Sequence, residues 1–141
     1  MRVFVDTNVL VYLFDADAPA KQQRARDVVG ELARARSLVL SSQVLSELYV
    51  TVTRKLAEPL APAQALRALA DLAVFPAVAV DAALVQRAAA SSQAEQIAFW
   101  DALILEAAVE AGARTVYSED LQSGRSYQGV SVVDPFAEAT I

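Results

Sequence analysis

Four acidic side chains interrupt apolar stretches of the sequence: Asp6 after Val3-Phe4-Val5, Glu47 beside Val44, Leu45 and Leu48, Asp101 in Phe99-Trp100-Asp101-Ala102-Leu103-Ile104, and Asp120 after Val116-Tyr117-Ser118-Glu119. Carboxylates are hard oxygen ligands, so a group of them suits Mg²⁺ or Mn²⁺. One such ion can bind a scissile phosphate and acidify the attacking water. A second, roughly 3.5–4 Å away, can stabilise the leaving oxygen, and no protein nucleophile is needed. The chain contains neither histidine nor cysteine. That excludes Ser-His-Asp and Cys-His catalysis, imidazole-ligated or thiolate-ligated zinc, and disulfides.

Each residue also has a plainer reading. Asp6 could simply cap the turn at Asp6-Thr7-Asn8, with Asn8 bonding nearby backbone. Glu47 shares a helical face with Val44, Leu48, Thr51 and Lys55, and could be a solvated acid paired with Arg54 or Thr51. Asp101 is the sharpest anomaly. Ile104, Leu105 and Ala108 fall on its side of a helix, so we expect a buried carboxylate, which costs several kcal/mol without a cation or strong donors. The dipole of a first helical turn offers it only about 0.3–1 kcal/mol. Asp120 competes with its neighbour Glu119, and Ser118 is placed to orient the Asp120 carboxylate. A further acidic pair, Asp15-Ala16-Asp17, fits a phosphatase with a nucleophilic aspartate on a strand, but Ala18-Pro19 replace the usual continuation and no later lysine motif is evident.

These residues need a scaffold. Arg2–Val5 reads as a short buried strand and Val9–Phe14 as a brief helical turn; the spacing over Ala20–Ala35 predicts a helix. Ser37–Leu40 reads as a strand, after which Ser41 or Ser42 caps a helix running to about Leu56, stopped by Glu58-Pro59. Pro62–Ala73 is a helix with proline in its first position. Val74–Val80 reads as a strand that Pro76 confines to an edge. Asp81 caps a helix over Ala82–Ser91, Ile97–Ala111 is another helix closed by Gly112, and Thr115–Tyr117 and Val130–Val133 are strands. Alternating strands and helices predict a three-layer α/β/α sandwich with a mostly parallel central sheet. In such sheets ligands collect at the carboxyl ends of the strands, where Asp6 and Asp120 fall.

At 141 residues, 55% hydrophobic and 21% charged, the chain suits one domain, residues 1–141, with a substantial core. The formal net charge of −5 is a poor match to a protein that binds nucleic acid through a broad basic face. It is compatible with carboxylates that cations must neutralise. No basic-then-apolar leader opens the sequence and no uncharged stretch is long enough for a membrane span, so we expect a cytoplasmic protein with no membrane contact.

The runs Val3-Phe4-Val5-Asp6-Thr7-Asn8-Val9-Leu10, Ser46-Glu47-Leu48, Phe99-Trp100-Asp101-Ala102-Leu103-Ile104 and Ser118-Glu119-Asp120-Leu121 resemble the successive motifs of PIN domains, and more narrowly the VapC ribonucleases of toxin–antitoxin pairs. The resemblance spans Val3–Leu121. It implies a Mg²⁺-dependent endoribonuclease, with Mn²⁺ as a substitute, that acts as a toxin against translation or growth, forms a homodimer and is inhibited by a small cognate antitoxin. It assigns the catalytic and metal-binding site to Asp6, Glu47, Asp101 and Asp120, with Thr7, Asn8 and Ser118 in support. Adjacent Glu119 and Asp120 leave the fourth contributor open. RNA carries one charge per nucleotide, so basic residues near the site should meet it. Arg24, Arg26, Arg54 and Lys55 are the candidates, because they lie on helices flanking Asp6 and Glu47; Arg114 and Arg125 mark an alternative path. Any exposed part of Val9–Phe14 would offer an antitoxin helix an apolar groove.

Overall fold

The computed structural model describes residues 1–137. Its elements run β1 (Val3–Val5), α1 (Thr7–Tyr12), α2 (Pro19–Arg34), β2 (Leu38–Ser41), α3 (Ser42–Arg54), α4 (Pro62–Leu72), β3 (Ala77–Val78), α5 (Ala82–Glu95), α6 (Phe99–Glu110), β4 (Thr115–Tyr117), β5 (Ser126–Tyr127) and β6 (Val130–Val133). The strands form one sheet in the order β3-β2-β1-β4-β6-β5, parallel except for the β5–β6 pair. This is the expected three-layer α/β/α sandwich.

β1 and β2 are buried at every position, as strands covered by helices on both faces must be. β1 pairs with β2 on one side (Phe4 opposite Val39) and with β4 on the other (Phe4 opposite Val116). The chain thus leaves β1 in one direction and returns on its other flank. That switch point opens a crevice at the strand carboxyl ends. Polar side chains start the helices there: Asp6 caps α1, Ser41 accepts from the Val44 amide (3.2 Å) to cap α3, and Asp81 accepts from Leu84 (2.9 Å) to cap α5.

Several elements differ from the expected ones. The strand expected over Val74–Val80 contracts to Ala77–Val78 at the sheet edge. The end of α4 turns through Ala73–Phe75, and pairing begins only where the Pro76 carbonyl accepts from Leu40 (2.9 Å). α5 outruns Ser91 by a turn. The Ser91 hydroxyl donates to Glu106 and that of Ser92 to the Ile97 carbonyl, and Gln96 closes the helix at φ 55°, where glycine is the usual choice. β5 escaped the sequence reading because two residues show no periodicity. Among the described residues, no helix is long and apolar enough to cross a membrane.

Candidate active site

The carboxyl ends of β1 and β4 are joined by the Asp6 amide donating to the Tyr117 carbonyl (2.9 Å). This places Asp6 beside Ser118. The buried Asp6 carboxylate accepts from the Thr7 amide (2.8 Å) through Oδ1, and from the Ser118 hydroxyl (2.8 Å) and Asn8 Nδ2 (3.3 Å) through Oδ2. The sequence suggested that Ser118 orients Asp120; its hydroxyl instead orients Asp6, and its oxygen accepts from the Asp120 and Leu121 amides (both 3.2 Å) and shapes their turn. Asn8 is the hub. Its Nδ2 also lies 3.2 Å from both Ser118 Oγ and Asp120 Oδ2, while its Oδ1 accepts from the Glu119 amide at 2.9 Å.

Glu47 approaches from α3. The Thr7 hydroxyl donates to one of its oxygens (2.8 Å) and Gln43, one turn earlier, to the other (3.2 Å). Neither Arg54 nor Thr51 is its partner. Asp101 sits in the first turn of α6 and corrects the expectation of a buried charge: it is exposed at the rim. The apolar residues that follow it, Ala102–Leu105, turn into the core, while the start of the helix, Trp100 included, faces solvent. All four carboxylates line one open cleft of about 700 Å³ between α1, α3, α6 and the loop after β4.

Burial pushes the Asp6 carboxyl up from 3.8 to about 6 against the opposing hydrogen bonds from Ser118 and Thr7, with Glu47 and Asp120 adding like-charge repulsion. Partial desolvation, then Asp120, raises Asp101 as well. Among the described residues, none of the four forms an ion pair. The cleft concentrates negative charge, and among the described residues Lys55 is the one cationic side chain in its lining.

The PIN domain profile matches residues 3–124. The chain belongs to the PIN domain family. Solved structures share this PIN fold at low identity. A toxin–antitoxin complex from Klebsiella pneumoniae is 20% identical, with 96% of this chain and 98% of that one covered and a TM-score of 0.70. VapBC2 from Rickettsia felis, bound to a DNA fragment from its promoter, is 17% identical over 94% and 97%, with a TM-score of 0.64. The sarcin-ricin loop cleaving toxin VapC20 from Mycobacterium tuberculosis is 20% identical over 84% and 89%, with a TM-score of 0.61. No curated protein matches in sequence.

Among the described residues of this PIN domain, no three acidic side chains close on a single point as a preformed metal cage. Mg²⁺ does not require one. It keeps several waters and is held by one or two carboxylates, so an all-oxygen, cation-deficient cleft fits a hydrated Mg²⁺ or Mn²⁺. Glu119 also lines the cleft, but its carboxylate is already engaged: it accepts from the Tyr12 hydroxyl (2.8 Å) and pairs with Lys21. Of the adjacent acids, Asp120 is the one whose carboxylate is bound to Asn8.

The basic candidates divide. Lys55 lines the cleft, whereas Arg24, Arg26 and Arg54 do not. Arg24 donates to the Pro135 carbonyl (2.8 Å) and clamps the last described segment against α2, and Arg125 pairs with Glu95. Val9 and Leu10 are core, and only Val11 and Tyr12 of their segment reach the cleft. Asp15 follows helix α1 and caps its own turn through the Asp17 amide (3.0 Å), which removes the phosphatase reading. Two cleft residues escaped the sequence reading. Gln43 is betrayed only by lying four residues before Glu47, and Trp100 only by its place beside Asp101.

Proposed function

We propose that this PIN domain is a Mg²⁺-dependent endoribonuclease, the toxin of a toxin–antitoxin pair that suppresses translation or growth in the cytoplasm. The observation that carries the reading is the cation-deficient cleft, with Asp6 buried at its floor and raised to about 6. Asp6, Glu47, Asp101 and Asp120 are the catalytic and metal-binding acids. Thr7, Asn8 and Ser118 fix their orientation before substrate arrives, which lowers the reorganisation needed during reaction. When bound, Mg²⁺ or Mn²⁺ supplies charge neutralisation for the phosphate and lowers the pKa of water at the site. The chain itself holds the acids apart on four elements, leaves one face of the cleft open to a nucleic-acid strand, and offers Lys55 to its phosphates.

The partner reading draws support from the similar Klebsiella toxin–antitoxin complex and Rickettsia VapBC2 and from an apolar groove of about 530 Å³ between α3 and α4, walled by Leu45, Tyr49, Val50 and Leu69. We assign that groove, rather than Val9–Phe14, to an antitoxin helix; the homodimer rests on the resemblance to VapC proteins. The test is incubation of purified protein with cellular RNA, with Mg²⁺ or with chelator, followed by mapping of new 5′ ends. Discrete ends in Mg²⁺ that disappear with chelator are expected. Intact RNA under both conditions removes the ribonuclease reading. Thermal stability should also rise with Mg²⁺, by about 1.4 kcal/mol when the ion is ten-fold above its Kd.

A further inference from the structure

Trp100 is the single tryptophan of the chain and is 62% exposed, at the second position of α6 and next to Asp101. The Phe99 ring backs it edge-on, with centroids 5.1 Å apart at 72°. Behind it lies a second hollow of about 460 Å³, within the roughly 300–1,000 Å³ of small-molecule pockets. Trp100, Val80 and Leu103 give it apolar walls. Ser42, Gln43 and Ser46 give it polar groups, and it shares Trp100, Gln43 and Glu47 with the carboxylate cleft. The Gln43 amide oxygen is buried with no hydrogen-bond partner, and the Ser42 hydroxyl oxygen accepts from the Val80 amide, leaving its own proton free to donate.

Resting on the ribonuclease reading, we propose that this slot takes one nucleobase, stacked on Trp100 and unstacked from its neighbours, beside the phosphate held in the cleft. A nucleobase has apolar faces and a polar edge, which matches apolar walls around polar groups. Aromatic side chains are the usual platforms for unstacked bases. Continuity with the acidic cleft through Trp100, Gln43 and Glu47 favours the base over an antitoxin side chain, because base and phosphate belong to one nucleotide, whereas the α3–α4 groove meets the slot at Ser46 alone. The slot makes Trp100 a substrate-binding residue and selects single-stranded or looped RNA, since paired bases must first leave their stack.

The single tryptophan supplies its own reporter. Asp6→Asn protein in Mg²⁺ is titrated with an end-labelled single-stranded oligoribonucleotide, with its duplex, and with strands abasic at successive positions. Anisotropy of the label and emission of Trp100 are read together. Emission should be quenched by the single strand, and one abasic position should abolish the quench. Trp100→Ala should weaken binding about ten-fold, within the range for one stacked base, while Trp100→Phe retains most of the affinity. Binding by anisotropy with unchanged emission, or equal affinity in Trp100→Ala, overturns the slot. A change in emission on antitoxin binding, with none on RNA binding, overturns it too and gives the slot to that partner. Failure of the unsubstituted protein both to bind and to cleave RNA in Mg²⁺ is a different result, which removes the ribonuclease reading itself.

Discussion

Two of the three carboxylates on helix α6 face unlike places. Asp101 faces the acidic cleft; Glu106, five residues on, enters a closed pocket between α5, α6 and the β5 turn. There a single oxygen of Glu106 accepts from the Tyr127 hydroxyl (2.6 Å), the Ser91 hydroxyl (2.7 Å) and Gln128 (3.2 Å), and Arg87 stands 3.7 Å from the other. Asp6, at the floor of the cleft, also has three donors. Donor count therefore does not separate the two clusters; the surrounding charge does. Glu106 has a guanidinium beside it, whereas Asp6 faces Glu47 and Asp120. A buried acid beside a cation, here Arg87 shared with Glu110, is a structural joint, and one ringed by other acids is a place for a cation from outside.

The strongest way to break this contrast is kinetic. In single-turnover cleavage of RNA, Asp6→Asn should lose more than about 100-fold, beyond the 10–100-fold typical of an outer-shell partner. Glu106→Gln should stay within about three-fold once the folded fraction is equal. Similar losses in both would merge the two clusters into one functional unit.

Stability should divide the other way. Glu106→Ala leaves the Tyr127 and Ser91 hydroxyls without their acceptor, while Arg87 keeps Glu110 (2.5 Å), and should cost about 2–3 kcal/mol in denaturant unfolding. Asp6→Asn, measured without metal at neutral pH, should lose nothing and should gain. A destabilised Asp6→Asn would mean that hydrogen bonding at the cleft floor outweighs its repulsion.

The pH dependence sharpens the comparison further. The Asp6 carboxyl titrates at about 6 in the folded protein and near 3.8 as an ordinary side chain. Between those values the folded state keeps a proton that the unfolded chain has released, so this group makes metal-free stability fall as pH rises through the window. The stability of Asp6→Asn relative to the unsubstituted protein should therefore grow from pH 4 to above pH 6 and level off at about 2–3 kcal/mol. A difference that is flat with pH would remove the burial argument. Excess Mg²⁺ should shrink it by favouring the ionised carboxylate.

Much of this arrangement was legible in the sequence because it depends on local chemistry. Val3-Phe4-Val5 could only be a covered strand, Asp6 and Ser41 are strong capping residues, and Pro76 confined β3 to an edge. Other features depend on what the chain meets far away. Asp101 looked buried because its neighbours are apolar, yet the Gln96 turn leaves the first turn of α6 facing solvent. Nothing local separates Glu119 from Asp120; the contacts of Glu119 with Lys21 and Tyr12 come from α2 and α1. Arg24 looked like a phosphate contact, but a carbonyl 111 residues away holds it. Glu106 drew no notice, because its donors come from α5 and from β5, a strand too short to leave a pattern.

The Asn8 hub sets an order of events during synthesis. Its amide reaches Asp120, 112 residues later, and the loop bearing Asp120 hangs from β4, whose outer neighbour is β6. A nascent chain can close α1 and α2 early by local contacts, but the floor of the cleft stays open until Val130–Val133 has emerged and docked. Long-range parallel pairing of this kind is slow to form. A PIN domain emerging from the ribosome thus carries its acids as disconnected pieces for most of its translation.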